Sequence, residues 1–306
     1  MIAKSSSNPS FIASRLGAEN RARTLGAKLG TPIEIVWMTP PQEDAKVQAQ
    51  RIAQAVTDHL DAVLISCSDA EKLTSAIDDA VAHGVAVMTF DSDAPASRRF
   101  AYAGVDDFKA GQAVMRELAR VIPHRGKVAV LAGNPSAPNL RLRVEGVMNE
   151  AAHHPDLTVL GPFFHVETPQ EATAAVMRAE NAHADIVGWA MVGGWPLYTQ
   201  TLLRDLEARR ATENEIVPKI VAINALPPQL VYVDQGLASV LLAQPITLWG
   251  EVGVDAIVDK LLLGKAIPER IPMDLVRVTA GTLGTWARQL RAWGYADTPE
   301  EYLQRP

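Results

Sequence analysis

Apolar runs of strand length and apolar residues at helical spacing alternate along this chain. Residues 1–4 leave room for only a very short first strand. Asn8-Pro9 then opens a helix carrying Phe11, Ile12, Leu16 and Leu25, with Asn8 as its cap, and Gly30 stops it. Residues 33–37 (IEIVW) predict a strand closed by Pro40-Pro41. Asp44 can cap a helix that reaches Leu60 with Val47, Ile52, Val56 and Leu60 on one face. Residues 62–66 predict a strand. Asp69 can cap the next helix (Leu73, Ile77, Ala80, Val81), and Gly84 ends it. The run 85–90 (VAVMTF) predicts a parallel strand buried on both faces.

After Gly104 the rhythm restarts. Asp106 or Asp107 can cap a helix over 108–122. Strands are expected at 127–132, 157–163, 185–191, 220–223 and 238–243. Helices are expected at 139–152, 171–182, 196–209 and 228–235. Two successive sets of strand and helix predict two doubly wound parallel sheets, because β-α-β crossovers are right-handed and cover both faces. A helix over 247–263 and a segment over 271–279 follow both sets. They either stay with the second domain or cross back to the first.

Open α/β sheets bind ligands outside the carboxyl ends of their strands. The residues expected there are Ser7, Asn8 and Phe11, Trp37, Ser66 and Ser68, and Asp91. In the second set they are 134–139, Arg143 one turn into its helix, Gly193, Gly194, Trp195, Asn224 and Gln244. Carboxylate, amide, guanidinium and indole predominate, with no nucleophile beside a base. Such a mixture suits a neutral polyhydroxylated ligand: each hydroxyl wants a donor and an acceptor, and an aromatic face packs on sugar C–H groups. Taken singly, Asn8, Asp69 and Asp106 are helix caps. Trp189, Trp249, Trp286 and Trp293 are packing residues, and only one of Arg141 and Arg143 need face a ligand.

Composition narrows the classes. A net charge of -6 advertises no nucleic-acid surface. No apolar run approaches the roughly 20 residues that span a bilayer. The single cysteine, Cys67, reads as a small buried residue. HExxH, GxSxG, paired CxxC and the phosphate-loop pattern are all missing, and the seven histidines have no ligand spacing. No metal and no cofactor are expected; a serine hydrolase or a phosphate-loop nucleotidase has little support, while catalysis by Asp91 with another carboxylate stays open. The start of the chain has no charged segment followed by an apolar one.

The stretches KSSSNPSFIASRLGAE, DAVLISCSDAEKLTSAIDDAVAHGVAVMTFDSDAP, AYAGVDDFKAGQ, NLRLRVEG and IVAINALPPQLVYVDQGLASVLLAQPITLWGEVGVDAI carry a resemblance over almost the whole length. Their order and spacing resemble the type I periplasmic sugar-binding proteins, the solute-binding proteins of sugar ABC transporters. The resemblance implies two similar α/β domains joined by a three-segment hinge: 1–104 plus about 246–275, and 105–245 plus about 276–306. Crossings are implied near Gly104-Val105, near Gln244-Pro245 and between 273 and 279, with the helix from Thr247 returning to the first domain. Ligand contacts are implied at Asn8, Phe11, Ser66, Asp91, Arg143 and Gln244.

Asn224 stands where the family often has Asp, a single Phe11 follows Ser10 where ribose binders carry two adjacent Phe, and Val105 replaces a polar residue. Ribose is therefore not the favoured ligand, and Trp195, with Trp37 as a further candidate, can restore the aromatic face. The implied protein is a non-enzymatic, periplasmic monomer with its leader removed. It captures a monosaccharide or polyol in an interdomain cleft and passes it to an ABC permease. The alternative is the effector domain of a LacI-type transcription regulator or another sugar sensor; a regulator needs a helix-turn-helix ahead of Met1.

Overall fold

The computed structural model describes residues 1–213 and 215–305. The chain opens with an isolated parallel bridge between Ile2 and Ile65. Helix α1 (Pro9–Leu29) is capped by Asn8, whose side chain accepts from Ser10 N, and it ends on Gly30 in the left-handed conformation. Residues 33–37 are extended but form no ladder, contrary to the strand expected there. The neighbouring chain is 1–6. Met1 N donates to Val36 O at 2.7 Å and Met38 N to Met1 O at 3.0 Å, but the next bond goes from Ala3 N to the Thr39 hydroxyl. Pro40 has no N–H to give, and only its carbonyl takes part, accepting from Ser6 N at 2.9 Å.

Then come α2 (Ala45–Thr57), capped by Asp44, β1 (Ala62–Ile65), α3 (Ala70–Ala82), capped by Asp69, β2 (Ala86–Phe90) and β3 (Ala101–Gly104). The alternation of side chains across a strand divides this core in two. Val63, Ile65 and Val87 pack with Ile52 of α2 and with Leu73 and Ile77 of α3.

The next stretch runs α4 (Asp107–Ala119), β4 (Gly126–Gly133), α5 (Pro138–Ala151), β5 (Leu157–Phe164), α6 (Pro169–Ala182) and β6 (Ile186–Met191). A 3-10 turn, Trp195–Tyr198, precedes α7 (Gln200–Arg210). One helix over 196–209 was expected; instead Thr199 is extended and its hydroxyl caps a second start. Strand β7 (Lys219–Ile223) follows. A 3-10 turn at Pro227–Gln229 and the short α8 (Leu230–Asp234) replace the single helix expected there, and β8 (Ala238–Ala243) completes the series.

The tail divides. Helix α9 (Ile246–Leu261) and β9 (Arg270–Pro272) precede β10 (Val276–Val278), α10 (Leu283–Ala292) and α11 (Glu300–Leu303). The chain forms two compact units. Unit 1 holds Met1–Asp106, Ser136–Asn139 and Pro245–Asp274; unit 2 holds Asp107–Pro135, Leu140–Gln244 and the segment from Leu275 on.

Unit 1 has the parallel sheet β1-β2-β3-β9. Its other face meets α9: a methyl built on Gly253 would lie 2.5 Å from Leu64, and Trp249 packs on Phe90 with ring centroids 6.0 Å apart. Helices α1 and α9 cross so closely that a methyl on Gly250 would sit 2.0 Å from Ser14 O, and one on Gly17 2.1 Å from Thr247 O. Unit 2 has the sheet β10-β8-β7-β6-β4-β5, parallel except for the edge strand β10, which departs from the all-parallel expectation.

Unit 2 has the same kind of crossing. A methyl on Gly111 of α4 would lie 1.9 Å from Arg143 O of α5, and one on Gly146 2.0 Å from Phe108 O. Backbone cannot yield as a side chain end does. Gly111→Ala is therefore expected to lower stability by about 1–3 kcal/mol through overpacking. Gly281→Ala, whose new methyl would have no neighbour closer than 3.9 Å, is expected to melt as the wild type does. Thermal melts of the two variants, compared side by side, check this.

Candidate ligand site

The first cluster lies at the carboxyl end of the unit 1 sheet. Asp91 follows β2 with φ of 57°, a left-handed corner that Asp tolerates better than most residues. The corner is held from both sides: Asp91 N donates to Ala103 O at 3.0 Å, and the Tyr102 hydroxyl donates to Asp91 O at 3.0 Å. The carboxylate is buried. Ser66 Oγ, just past β1, donates to one oxygen at 2.8 Å, and Asn139 Nδ2 donates to the other at 3.2 Å. Asn139 Oδ1 in turn accepts from Lys4 Nζ at 3.2 Å. A carboxylate, an amide and an ammonium therefore form one buried chain of bonds, with acceptor and donor ends close together.

The loop after Asp91 is clamped. Asp93 accepts from Arg99 Nε at 2.7 Å and Nη2 at 2.8 Å, and from the Thr89 hydroxyl at 2.6 Å. Phe11 is buried, edge-on to Phe90 at 6.4 Å and tilted against Trp249 at 6.4 Å. Asn8 is buried as the α1 cap. Trp37 is half-buried with the Arg15 guanidinium 5.3 Å from its ring centre.

The second cluster lies at the carboxyl end of the unit 2 sheet. Arg143, on α5, is buried and spreads its fork over three partners. Nε donates to Asp107 Oδ1 at 2.8 Å, Nη1 to Val192 O at 3.1 Å and Nη2 to Gln244 Oε1 at 2.9 Å. Gln244 Nε2 donates to Asn224 Oδ1 at 2.9 Å. Asn224 repeats the geometry of Asp91: it follows a strand, β7, with φ of 84°, and its N–H is bound to Leu242 O at 2.9 Å. Each unit thus places an Asx residue at a left-handed corner beyond a central strand, where strain is tolerated for the sake of a side chain's direction. Trp195 is buried over two bare glycines. A methyl on Gly193 would lie 2.3 Å from its ring, and one on Gly133 2.8 Å.

Of the expected residues, Ser66 and Asp91 meet in unit 1, and Arg143, Asn224 and Gln244 meet in unit 2. Asn8 and Phe11 stand in unit 1 as cap and aromatic packing, and Trp195 in unit 2 as packing over glycines. Arg141 is exposed, so Arg143 is the inward arginine of the pair.

Asn139 belongs to the stretch 134–139 expected at the ligand edge, whereas three residues at the clusters were not expected. Lys4 is a charged residue in a segment too short to read. Asp107 was read as a helix cap. Gln48 is fully buried: its Nε2 donates to Ala3 O at 3.0 Å and Ser66 O at 2.8 Å, and its Oε1 accepts from Ser68 N at 3.0 Å. It ties the first loop to the loop after β1. Its signal was a polar residue on the core-facing side of α2, in line with Ile52 and Ala55.

Cys67 is buried, and burial pushes its thiol well above the ordinary range, so it is inert. Among the described residues no group of three or more His, Cys, Asp or Glu could hold a metal ion, and no helix is long and apolar enough to cross a membrane.

Two α/β units, each gathering amides and paired charges at the carboxyl edge of its sheet, make a solute-binding protein. The chain belongs to the periplasmic binding protein domain family, whose profile matches residues 1–266. It is 26% identical over 275 residues to the ribose import binding protein of Bacillus subtilis (strain 168), covering 88% of this chain and 82% of that protein. Its fold is similar to that of an ABC transporter solute-binding protein from Burkholderia graminis, solved in complex with D-arabinose. The TM-score is 0.82 and the identity 23%, over 92% of this chain and 94% of the other. A solute-binding protein from Agrobacterium vitis, bound with alpha-D-tagatopyranose, has a TM-score of 0.81 at 21% identity, over 96% and 98% of the two chains.

Proposed function

We propose that this protein captures a neutral monosaccharide or polyol and delivers it to the permease of an ABC importer, acting outside the cytoplasmic membrane as a monomer and without catalysis. The observation that carries the reading is that the buried charged groups are held in hydrogen bonds within the chain. The carboxylate of Asp91 is bonded to a hydroxyl and an amide, and the guanidinium of Arg143 to a carboxylate, a carbonyl and an amide. The Arg143 charge is already paired with Asp107, so the unit 2 cluster needs no acidic solute, and in both clusters the charged groups are hydrogen-bonded. Both can exchange partners with hydroxyls, which donate and accept alike. In this reading Asp91, Ser66, Asn8 and Phe11 serve one side of the ligand, and Arg143, Asn224, Gln244 and Trp195 the other. Charge-assisted bonds of roughly 1.5–3 kcal/mol each then discriminate epimers, since a misplaced hydroxyl leaves a buried group unpaired.

A thermal-shift screen over aldoses, ketoses, polyols and the matching aldonic acids tests this. Stabilisation by one or a few neutral sugars is expected, and none by the acids. Only differential affinity shifts a conformational equilibrium, so a ligand using both sets of residues should also reduce the radius of gyration in small-angle scattering. A screen in which only acids or amino acids stabilise the protein, or in which no solute does, overturns the reading.

A further inference from the structure

His165 follows β5 in unit 2, at the same carboxyl edge as Gly133 of β4 and Gly193 beyond β6, and its N–H is bound to Gly133 O at 3.1 Å. The order β6-β4-β5 makes these three strands neighbours. The imidazole stands edge-on to the Trp195 indole, centroids 4.9 Å apart at 79°. That indole lies over the two glycines, in space that a side chain at either position would occupy. Leu140, on α5 three residues before Arg143, lies beside the same ring: the methyl built on Gly133 would meet Leu140 Cδ1 and Trp195 at 2.8 Å each. The His–Trp pair is thus one turn of helix from the guanidinium of the ligand cluster.

The chemistry of the ring is determined by its bonds. Nδ1 lies 2.7 Å from Val166 O, an acceptor only, so Nδ1 carries the proton. Nε2 is then a bare lone pair, buried with no hydrogen-bond partner among the described residues. His165 as a whole is 9% exposed. An unpaired acceptor at the edge where ligands bind costs stability unless a donor arrives.

We infer that His165 is a specificity-determining ligand contact: its Nε2 accepts a hydrogen bond from one sugar hydroxyl whose neighbouring C–H face lies on Trp195. The inference rests on the sugar-binding reading and adds what the solute must offer there, a hydroxyl donor flanked by apolar C–H. Only the neutral ring can accept at Nε2. Burial lowers the His165 pKa, with the bond to Val166 O and Glu171 opposing and Arg178 assisting, and the buried Glu167 stands two residues away in sequence. The ring is therefore neutral at pH 7, and acid removes the acceptor.

The test uses the sugar that best stabilises the wild type. Calorimetric titration of His165→Phe should show about 10-fold weaker binding, and His165→Gln, which keeps an acceptor, should recover most of it. Wild-type affinity should fall as the pH is taken from 7 into the acid range, while that of His165→Gln stays level. Among monodeoxy analogues, the one that loses most affinity for the wild type should lose little for His165→Phe. Should the wild type bind its sugar while His165→Phe binds as tightly and the pH profiles coincide, His165 is a packing residue and the inference fails with the sugar-binding reading intact. A chain that binds no sugar overturns both.

Discussion

Asp91→Ala is expected to weaken binding of the cognate sugar by more than about 100-fold, from roughly 3 kcal/mol of charge-assisted bonding lost in a dry site. The geometry separates this loss from an effect on the fold. Asp91 occupies a left-handed corner, where alanine adds about 1 kcal/mol of backbone strain and glycine adds none. Asp91→Gly should therefore melt higher than Asp91→Ala and bind no better. Both leave Ser66 Oγ and Asn139 Nδ2 without their carboxylate, a shared cost that cancels between the two variants. Titration calorimetry beside thermal melts checks this. Wild-type affinity in the glycine variant would mean that Asp91 only turns the chain.

Arg143 combines binding with packing. Arg143→Ala should abolish measurable sugar binding and also cost about 3–5 kcal/mol of stability, because Asp107 would keep a buried charge with its partner gone. Adding Asp107→Asn removes that charge. The double variant should recover much of the lost melting temperature and none of the affinity. Recovery of both would assign Arg143 to the fold alone, whereas recovery of neither would mean that the ion pair is not what destabilises the single variant.

The strand and helix series was legible because apolar runs and helix-spaced apolar faces are local signals. Asp91 and Arg143 were legible because a charge at the end of a buried strand, or one turn into the following helix, is hard to assign to a core. What was missed depended on neighbours distant in sequence. The alternation in 33–37 has strand character, yet a ladder needs regular backbone pairing, and here Ala3 N turns to the Thr39 hydroxyl and Pro40 has no N–H to give. Pro196 looked like the first residue of a long helix; Thr199 interrupts it because its hydroxyl can cap a new one. β10 is three residues long, too short for its sequence to reveal that it runs antiparallel beside β8. Lys4 and Gln48 are polar residues whose partners come from elsewhere in the fold; nothing local distinguishes Lys4 from a surface residue, and only its place on the face of Ile52 and Ala55 sets Gln48 apart. His165 was passed over because lone histidines carry no spacing signal; its bare nitrogen becomes visible only with the ring in place.

The α1–α9 crossing bears on how the protein acquires its shape during synthesis. Glycines at positions 17 and 250 bring the two helices together, and the Arg21–Asp255 bond nearby closes a loop of 234 residues. β9 completes the same unit from still later in the chain. The first hundred residues to leave the ribosome therefore lack the helix that covers Phe90 and Leu64 and the strand that pairs with β3. They must wait, with that apolar face uncovered, until nearly the whole polypeptide has been made. Contacts so remote in sequence slow folding through the entropy of closing the loop. Unit 2, whose strands β4–β8 and intervening helices come from one nearly continuous stretch, can assemble most of its sheet before unit 1 is complete.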